Sequence, residues 1–574
     1  MESPIVGIDL GTTNSAVAWI GDDGRPRLLS VGHERIIPSV VAHSGGQLIV
    51  GHAARNVLPL DPAQAVRSVK RHMGSDKRFD LGDKEYTAVD ISAMILRKMK
   101  AIAESDLGRS VDRAVITVPA YFSDDQRTAT RAAGEKAGLI VERIINEPTA
   151  AALVYSLGRD VTEKVVVYDL GGGTFDVSVA QIESGVVEIL ATTGNNCLGG
   201  DDFDNRIVDY VVDHVRRKDG IDLKSDSRAA ARLAQAAEGV KIALSSVPFA
   251  RFDEPFLAAK QGVDYHLDFE ISRQRFEELI SDLVLETIDL VEAALDDAGL
   301  VPHDIDRVLL VGGSTRVPLV RERLSDMFDV EPSGSIHPDE CVALGAAVQA
   351  ALIAGAPVDS VLIDVTAHSL GIATAQIDRY DISADHYSVI IPRNTAIPTS
   401  RAEVYTTLFE SQDKVAIEVY QGEEPIASHN AHLGTFRLAG MRARGSRKPE
   451  IVVTFDYDVD GIVHVRAEER ISGVSKSISI SRERRSNAKA SADGPTLEDL
   501  PSLEELDVDL GTGALLERAA AVAANCPPEL AQELKEAVTE LWEALSSSPR
   551  NQERIDALED RLLDLVAAVD DDEA

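Results

Sequence analysis

The amino-acid sequence predicts a multidomain chain with three regions: an α/β region of two lobes, an all-β region and a small α-helical bundle. Residues 4 to about 355 alternate strand-like and helix-like segments, whereas residues 366 to 481 show the alternation of strands. From residue 514 the apolar positions step by three and four, which is typical of helices. The 574 residues also exceed what one hydrophobic core organises, so several folded units are expected.

Composition and charge exclude several classes of protein. The formal net charge of −37 argues against general binding to nucleic acid, which requires a basic surface. No run of about 18 apolar residues is present, and the N-terminus has no secretory signal pattern, so we expect a cytoplasmic protein with no membrane contact. The cysteines (Cys197, Cys341 and Cys526) lie far apart, which predicts reduced thiols and no zinc site.

Two segments of the α/β region resemble each other. The residues Asp9-Leu10-Gly11-Thr12-Thr13 follow one apolar strand, and Asp169-Leu170-Gly171-Gly172-Gly173-Thr174 follow another. Each is followed by an alternating segment, NSAVAWI or FDVSVAQI, which predicts a returning strand rather than a helix. The sequence therefore predicts two glycine-rich hairpin turns in a duplicated fold whose lobes face a cleft.

Such turns suit a polyphosphate. Glycine leaves backbone N–H groups free to point at a phosphate, and the hydroxyls beside these turns add donors. Asp9 and Asp169 end their strands next to the turns, where carboxylates can hold the water shell of Mg²⁺. A third segment, LLVGGSTRVPLVRERL, predicts a strand, a turn at Gly312-Gly313-Ser314 and then a helix, and Arg316 could stack on an aromatic base.

Each motif taken alone is weak evidence. A lone DxGT segment is more often a structural turn, and three consecutive glycines often mark a plain loop. Three glycine turns at strand ends, two of them preceded by Asp, are harder to obtain by chance. Lys70 and Glu147 would be surface charges on composition alone.

The remainder of the chain follows the β and α patterns. Ile451, Val453 and Phe455 alternate, and Asp460-Gly461 predicts a hairpin turn. Residues 486–513 are rich in Ser, Ala, Asp, Pro and Gly, which favours a flexible segment. The C-terminal residues form an apolar stripe of a helix, most simply explained by bundle packing: Ile555, Leu558, Leu562, Leu565 and Val569.

These segments resemble the seventy-kilodalton heat-shock, DnaK-like chaperone family. The matching segments are GIDLGTTNS, VITVPAYFSDDQR, RIINEPTAAAL, VYDLGGGTFDVSV, LGGDDFDNRI and LLVGGSTRVP, followed in the β region by DVTAHSLGI, IPRNTAIPT, IEVYQGE, LGTF and VTFDYDVDGIVHVRA. They occur in the family's order and cover most of the chain. The resemblance implies an actin-like ATPase domain (1–357), a linker (358–365), a β-sandwich peptide-binding domain (366–485), a flexible hinge (486–513) and a lid-like helical bundle (514–574).

The function implied by the resemblance is an ATP-dependent chaperone and slow Mg²⁺-dependent ATPase that binds and releases extended hydrophobic segments of unfolded proteins. Its implied cofactors are ATP or ADP, Mg²⁺ and K⁺, and its implied partners are unfolded peptides, a J-domain co-chaperone and a nucleotide-exchange factor. Two alternatives remain open at this stage: a specialised relative that binds one partner with little ATP cycling, and an actin-fold small-molecule kinase.

The resemblance also assigns roles to residues of this sequence. Those matched to catalysis are Lys70, Glu147, Asp169, Thr174 and Asp176. Those matched to ATP binding are Asp9, Gly11, Thr12, Thr13, Gly171, Gly172, Gly173, Glu238, Lys241, Ser245, Gly312, Gly313, Ser314, Arg316 and Asp339, with Asp9 and Asp169 holding metal through water. Those matched to communication are the switch Pro119 and Arg127, the co-chaperone surface Arg143, Asn146 and Asp364, and the linker residues Val361, Leu362 and Ile363.

The family's peptide channel matches Ile372, Tyr405, Leu408, Val415, Ile417 and Val419. Apolar residues that alternate along strands are more often core than ligand site, so both interpretations of this set stay open.

The sequence departs from the family pattern at several places. The stretch between Lys70 and Val115 is shorter, and Ser360 occupies a linker position that is usually apolar. Extra residues around Asp378 to Tyr387 replace a short loop over the channel, and residues 486–513 replace a long hinge helix. These differences leave the exchange factor, the peptide preference and the action of the lid open.

Overall fold

The computed structural model describes residues 3–570 except for 22–23, 261, 335–336, 357, 359, 379–380, 410–411, 442–447, 460, 471–472, 480–518, 520–532, 535, 542–543 and 545–551. Among the described residues, no helix combines the length and the apolar character needed to cross a membrane.

The first lobe is built on a mixed sheet. Its elements are β1 (Ile5–Leu10), β2 (Asn14–Ile20), β3 (Pro26–Leu28), β4 (Ile36–Pro38), β5 (Val41–Ser44), β6 (Gln47–Val50), α1 (His52–Arg55), β7 (Ala65–Val66), β8 (Arg78–Leu81), β9 (Lys84–Thr87), α2 (Ala88–Leu107), β10 (Arg113–Val118), α3 (Asp124–Lys136), β11 (Ile140–Asn146) and α4 (Glu147–Ser156). The strand order is β11-β10-β1-β2-β3, with β4 on β2, and α2 and α3 bury the apolar face.

The second lobe repeats this plan. Its elements are β12 (Thr162–Leu170), β13 (Phe175–Glu183), β14 (Val186–Asn195), α5 (Gly200–Asp219), α6 (Ser227–Leu244), β15 (Phe249–Lys260), β16 (Val263–Ser272), α7 (Arg273–Ala298), β17 (Arg307–Val311), α8 (Pro318–Met327) and α9 (Cys341–Ile353). The antiparallel pairs β1–β2 and β12–β13 confirm both predicted hairpins. The duplicated two-lobe fold follows from this repetition.

The apolar helix α9 packs between the lobes, where glycines permit a close approach. A Cβ atom on Gly345 would lie 1.8 Å from the carbonyl oxygen of Ala150 in α4, and one on Gly7 would lie 2.1 Å from the backbone nitrogen of Ala347. Since α4 in turn contacts β12 and β13 of the second lobe, the close packing of α9 on β1 and on α4 helps to set the spacing of the two lobes.

The C-terminal part holds β18 (Val361–Val365), β19 (Leu370–Asp378), β20 (Asp381–Ile391), β21 (Ala396–Ile397), β22 (Thr399–Thr406), β23 (Lys414–Gln421), β24 (Ala431–Ala439), β25 (Glu450–Tyr457), β26 (Val463–Glu469), β27 (Ser475–Ser479) and α10 (Gln552–Asp570). Two four-stranded sheets, β20-β19-β23-β24 and β22-β25-β26-β27, enclose one apolar core. Ile451, Val453 and Phe455 all point into this core, and β25 pairs with β26 as predicted.

The linker forms a strand of the second lobe's sheet. β18 pairs in parallel with β14, with Val361 opposite Val186, and its last two residues pair with β21 of the sandwich. The short apolar run 361–363 therefore docks on the α/β region in this structure.

Three expectations concern the C-terminal half: the extra residues of the β domain, the hinge segment and the apolar stripe of the last helix. The extra residues from Asp378 to Tyr387 do not lengthen a loop: they extend the β19–β20 hairpin, in which Asp378 pairs with Asp381, because strand pairing continues past the sheet that β19 shares with β23. The predicted flexible segment 486–513 lies outside the described residues. In α10, Ile555, Leu558 and Leu562 are buried, as the apolar stripe predicts.

Candidate functional site

The first glycine turn joins β1 to β2 and is held by Ser39. The Ser39 hydroxyl donates to the carbonyl of Gly11 (2.7 Å), and its backbone N–H donates to the carbonyl of Thr13 (2.8 Å). A Cβ atom on Gly11 would lie 2.2 Å from the carbonyl oxygen of Asn14. This position therefore requires glycine.

The second glycine turn meets the first across the cleft. A Cβ atom on Gly172 would lie 1.8 Å from the Thr13 hydroxyl, and one on Gly173 would lie 2.4 Å from the Thr12 methyl group. The Thr13 hydroxyl finds no hydrogen-bond partner among the described residues. The threonine side chains of the first turn thus lie against the bare glycines of the second, with a buried hydroxyl left free between them, which fits a polyphosphate.

Two further glycine pairs complete this cradle. Gly312 has φ 80°, and a Cβ atom there would lie 2.3 Å from the carbonyl oxygen of Leu170, while the Ser314 hydroxyl donates to the carbonyl of Gly171 (2.8 Å). A Cβ atom on Gly199 would lie 2.7 Å from the carbonyl of Gly172, and the Gly200 N–H donates to Gly171 (3.0 Å). The Gly199-Gly200 pair had no role assigned from the sequence, although its segment LGGDDFDNRI carried the family resemblance.

Carboxylates crowd the floor of the cleft. Burial, with repulsion from Glu147, raises the pKa of Asp9 and of Asp176 to about 7 and raises that of Asp169 well above its usual range. One oxygen of Asp169 and one of Asp176 have no hydrogen-bond partner among the described residues. A divalent cation with its water shell would supply both the missing charge and the missing donors, so this site fits Mg²⁺.

Lys70 and Glu147 are buried, so the surface interpretation based on composition alone is wrong for both. Their side chains form an ion pair, and the two residues are 2% and 8% exposed. Lys70 follows Ser68, whose φ of 53° turns a short 3₁₀ helix towards the cleft. The ammonium group therefore lies among the carboxylates, where it opposes their mutual repulsion.

Thr174 and Asp176 begin β13 beside these groups. Thr174 is 6% exposed, and Asp176 is 1% exposed and accepts a hydrogen bond from the backbone N–H of Tyr121 (2.9 Å). Thr117 in β10 donates to Asp9 (3.1 Å). The catalytic residues predicted from the resemblance are therefore gathered at one place.

Of the residues predicted to bind adenosine, Glu238 lines a cavity beside the first glycine turn. A cavity of about 260 Å³ is lined by Thr12, Thr13 and Glu238 among others, and Arg55 holds Glu238 from the opposite lobe (2.8 Å). Arg316 pairs with Asp339 (2.9 Å) beside Gly313.

On α6, the next residues of this predicted pocket face different partners. The Lys241 ammonium contacts Asp204 (2.9 Å) and the carbonyl of Gly200 (3.0 Å), whereas the Ser245 hydroxyl donates to the carbonyl of Lys241 within the helix (3.3 Å). Lys241 is thus tied to the glycine cradle.

Contacts that sequence reasoning missed hold the lobes together. Ser68 donates to Asp201 (2.6 Å), and Arg71 donates to the carbonyl of Gly173 (2.8 Å) and pairs with Asp202. Arg71 directly follows Lys70 in the sequence, but its charge alone gives no signal that its side chain crosses the cleft.

The predicted switch and co-chaperone residues form one buried network at the linker. Arg127 donates to Asn146 (2.6 Å) and to the carbonyls of Ala120 and Phe122, which follow Pro119. Asn146 and Thr149 both donate to the Asp364 carboxylate (3.0 Å). Because Asn146 is 3% and Asp364 is 9% exposed, neither is accessible to a partner in this arrangement, whereas half-buried Arg143 lines an adjoining 120 Å³ cavity.

The predicted peptide-channel residues divide into two groups. Ile372, Ile417 and Val419 are at most 4% exposed within the sandwich core. Tyr405 and Val415 are partly buried against the same core, and Leu408 is half-buried. The second group is the more accessible to a ligand.

The close contact at Gly172 gives a matched pair of variants. Gly172→Ala should drive the turns apart and lower the affinity for ATP about five- to 150-fold, since overpacking costs about 1–3 kcal/mol. Gly171→Ala is the control, because its Cβ would meet the Thr174 carbonyl at an ordinary 3.6 Å. Isothermal titration calorimetry with ATP and Mg²⁺ measures both; equal affinities would contradict the predicted cradle.

Comparisons with known proteins agree with this architecture. The family model described as Hsp70 protein matches residues 5–81 and 78–571. The chain is 48% identical over 482 residues to the chaperone protein DnaK of Thermotoga petrophila, Thermotoga neapolitana and Thermotoga maritima, which is 83% of this chain and 80% of each relative. Because the match runs through the glycine cradle, the linker strand and the sandwich, the chain belongs to the Hsp70 family of chaperones, whose members are ATPases that work with unfolded clients and co-chaperones.

Proposed function

We propose that this protein is a chaperone that uses slow, Mg²⁺-dependent ATP hydrolysis to control its affinity for extended apolar peptides. The observation that supports the proposal best is the pair of facing glycine turns beside Asp169 and Asp176, each with one carboxylate oxygen that has no hydrogen-bond partner among the described residues. Such a cradle suits the phosphates of ATP, and the linker strand pairs both with β14 of the second lobe and with β21 next to the sandwich.

Each residue of the cleft has a physical task in this proposal. Asp9 and Asp169 would hold Mg²⁺ through water, and the bound ion, with K⁺ implied by the resemblance, would neutralise phosphate charge. Lys70 places a fixed positive charge near the terminal phosphate. Glu147, Thr174 and Asp176 supply oxygens that orient the attacking water. Positioning and charge neutralisation are the main requirements of phosphoryl transfer.

The first test of this proposal removes the buried charge. Lys70→Ala should lower steady-state ATP turnover about a hundredfold or more, as is typical when a preorganised charge is lost, and should leave ATP binding largely intact. Lys77→Ala, which alters an exposed lysine of the same segment, should hydrolyse ATP at the parent rate. Phosphate release by the full-length proteins measures this, and normal turnover by Lys70→Ala would remove Lys70 from the mechanism.

We propose that the linker strand couples the two domains. Leu362 packs against the core beneath α4 and α9, whereas Val361 is 56% exposed on the same strand. Asp364, bonded to Asn146 and Thr149, fixes the end of the strand in the network of Arg127.

Leu362→Asp should therefore uncouple the domains, because the charge cannot be buried in that core. ATP and peptide should each still bind, but ATP should no longer accelerate peptide release, a loss of about 1–3 kcal/mol of coupling. Val361→Asp is the matched control on the exposed side and should retain the effect of ATP. Stopped-flow release of a labelled peptide, with and without ATP, measures it; full acceleration in Leu362→Asp would exclude this route.

We propose that peptide binding uses the partly buried side of the sandwich, near Tyr405, Leu408 and Val415. The Tyr405 hydroxyl bonds Ser388 of β20 (3.0 Å), which joins the two sheets at this place. An extended peptide would be held there by main-chain hydrogen bonds and apolar contacts.

Val415→Phe should fill this space and weaken the binding of a leucine-rich peptide about tenfold without unfolding the domain. Val404→Phe enlarges a half-exposed residue of β22 and should bind normally. Fluorescence anisotropy with a panel of unrelated peptides measures both. Unchanged affinity in a folded Val415→Phe would contradict the site, and binding restricted to one peptide would favour the specialised relative.

The co-chaperone surface is proposed at Arg143, Asn146 and Asp364. In the present arrangement only Arg143 among these three is more than 9% exposed, so a J-domain would begin at Arg143 and reach the others when β18 shifts. An exchange factor would act on the upper parts of the lobes, where the shortened stretch between Lys70 and Val115 leaves its type open.

A further inference from the structure

A histidine just beyond the linker connects the β domain to the ATPase domain. The His368 Nε2 atom lies 3.1 Å from the carbonyl oxygen of Tyr121, and the two rings pack with centroids 4.1 Å apart. Because a carbonyl oxygen only accepts, Nε2 carries the proton and donates, which leaves Nδ1 as the basic nitrogen. The ring of His368 is half-buried, and Nε2 donates in the neutral and in the protonated imidazole alike, so this bond does not by itself decide the protonation state.

The backbone groups of Tyr121 connect His368 to the cleft. The Tyr121 N–H donates to Asp176 (2.9 Å), while its carbonyl accepts from His368 and from Asn196 (2.9 Å). One residue of the ATPase domain is thus bonded to the β domain on its carbonyl side and to a catalytic carboxylate on its amide side.

We propose that His368 is a positioning residue for ATP hydrolysis: the neutral imidazole holds Tyr121, and through it Asp176, in the docked arrangement, and protonation of the imidazole releases the β domain. The inference rests on the proposed function for the role of Asp176, but the docking part stands on the interface alone.

The charges around the imidazole oppose its protonation. Arg127 on α3 and Arg393 after β20 both repel a positive ring, and burial lowers the pKa of His368 to about 4. On the acidic side, Glu423 accepts from the backbone N–H and hydroxyl of Ser369 (2.8 Å), and Asp297 on α7 pairs with Arg393 (2.7 Å). These two carboxylates are therefore committed to other donors.

The sign of the pH effect follows from this lowered pKa. The docked form binds a proton less well than the undocked form, whose histidine has an ordinary pKa of about 6.5. Docking is therefore strongest above pH 6.5 and weakens as the pH falls towards 4. At pH 5.5 the protonated form of the undocked imidazole is about ten times as abundant as its neutral form. The docking constant should therefore be about tenfold lower there than well above pH 6.5.

A second titrating group at the interface acts in the opposite direction. Asp124 accepts a hydrogen bond from the backbone N–H of Val463 (3.1 Å), and its other oxygen has no partner among the described residues. Burial raises the pKa of Asp124 to about 8, so its protonated form favours docking, and this contribution is lost as the pH rises through 8. The response of the unmodified protein is the sum of both effects, and His368 has to be isolated by variants.

The test compares the full-length protein with His368→Gln and His368→Leu. Glutamine keeps an N–H donor for Tyr121 but does not titrate, and leucine keeps the bulk without the donor. Docking is measured by energy transfer between dyes on the two domains, with and without ATP and Mg²⁺, from pH 5.5 to 7.5. We expect the ratio of the parent's docking constant to that of His368→Gln to fall about tenfold as the pH is lowered from 7.5 to 5.5, since the contribution of Asp124 cancels.

Controls and a second readout complete the experiment. His429→Gln changes an exposed histidine of the β domain and should keep the parent's pH response. At pH 7.5, His368→Leu should dock more weakly than His368→Gln. As the pH is lowered through the same window, the ATP turnover number of the parent should fall relative to that of His368→Gln, with KM for ATP unchanged.

A docking ratio that stays flat with pH would overturn the inference, and so would equal docking of the glutamine and leucine variants. A parent that docks with the expected pH response but hydrolyses no ATP would instead contradict the proposed function and leave the docking role of His368 standing.

Discussion

The rest of the structure depends on the carboxylates of Asp9, Glu147, Asp169 and Asp176, which crowd around the ammonium group of Lys70. Their repulsion raises the pKa of three of them, and the buried lysine offsets only part of it. A protein tolerates such a cluster when bound cations complete it. The facing glycine turns, which exclude side chains from the space above, leave room for a ligand that brings those cations with it.

The same constraint explains why the two domains meet where they do. The segment from Pro119 to Arg127 leaves β10 at the cleft and reaches the β domain within a few residues. Tyr121 contacts Asp176, Asp124 contacts Val463 of β26, and Arg127 reaches the network of Asp364. Across the interface, Asp297 pairs with Arg393 and accepts from Asn394 (2.9 Å), which adds a second point of attachment. The floor of the cleft and the sandwich are therefore joined by a short run of backbone and single hydrogen bonds.

Local patterns predicted the parts of this structure that depend on local geometry. A glycine run after an apolar strand specifies a tight turn, and the alternation that follows specifies a returning strand, so both hairpins could be derived from the residues. The burial of Lys70 and Glu147 could not, because residues 77 positions apart meet only after the lobes fold. The contacts of Arg55, Ser68 and Arg71 across the cleft were missed for the same reason. The residues from Asp378 to Tyr387 were identified as extra relative to the family, but nothing in their composition shows that strand pairing continues as far as Asp378 and Asp381.

The linker strand also decides how much open sheet edge this protein exposes. While β18 is in place, the Val361 N–H donates to the carbonyl of Gly185 (3.0 Å), and Val186 to Glu188 of β14 are paired on both sides. Once β18 leaves, this part of β14 becomes an edge with unpaired N–H and C=O groups, the kind of surface that captures other strands and promotes aggregation. A chaperone that keeps other chains from associating would thus rely on its own linker to protect a sheet edge, and its solubility would vary with the position of that strand.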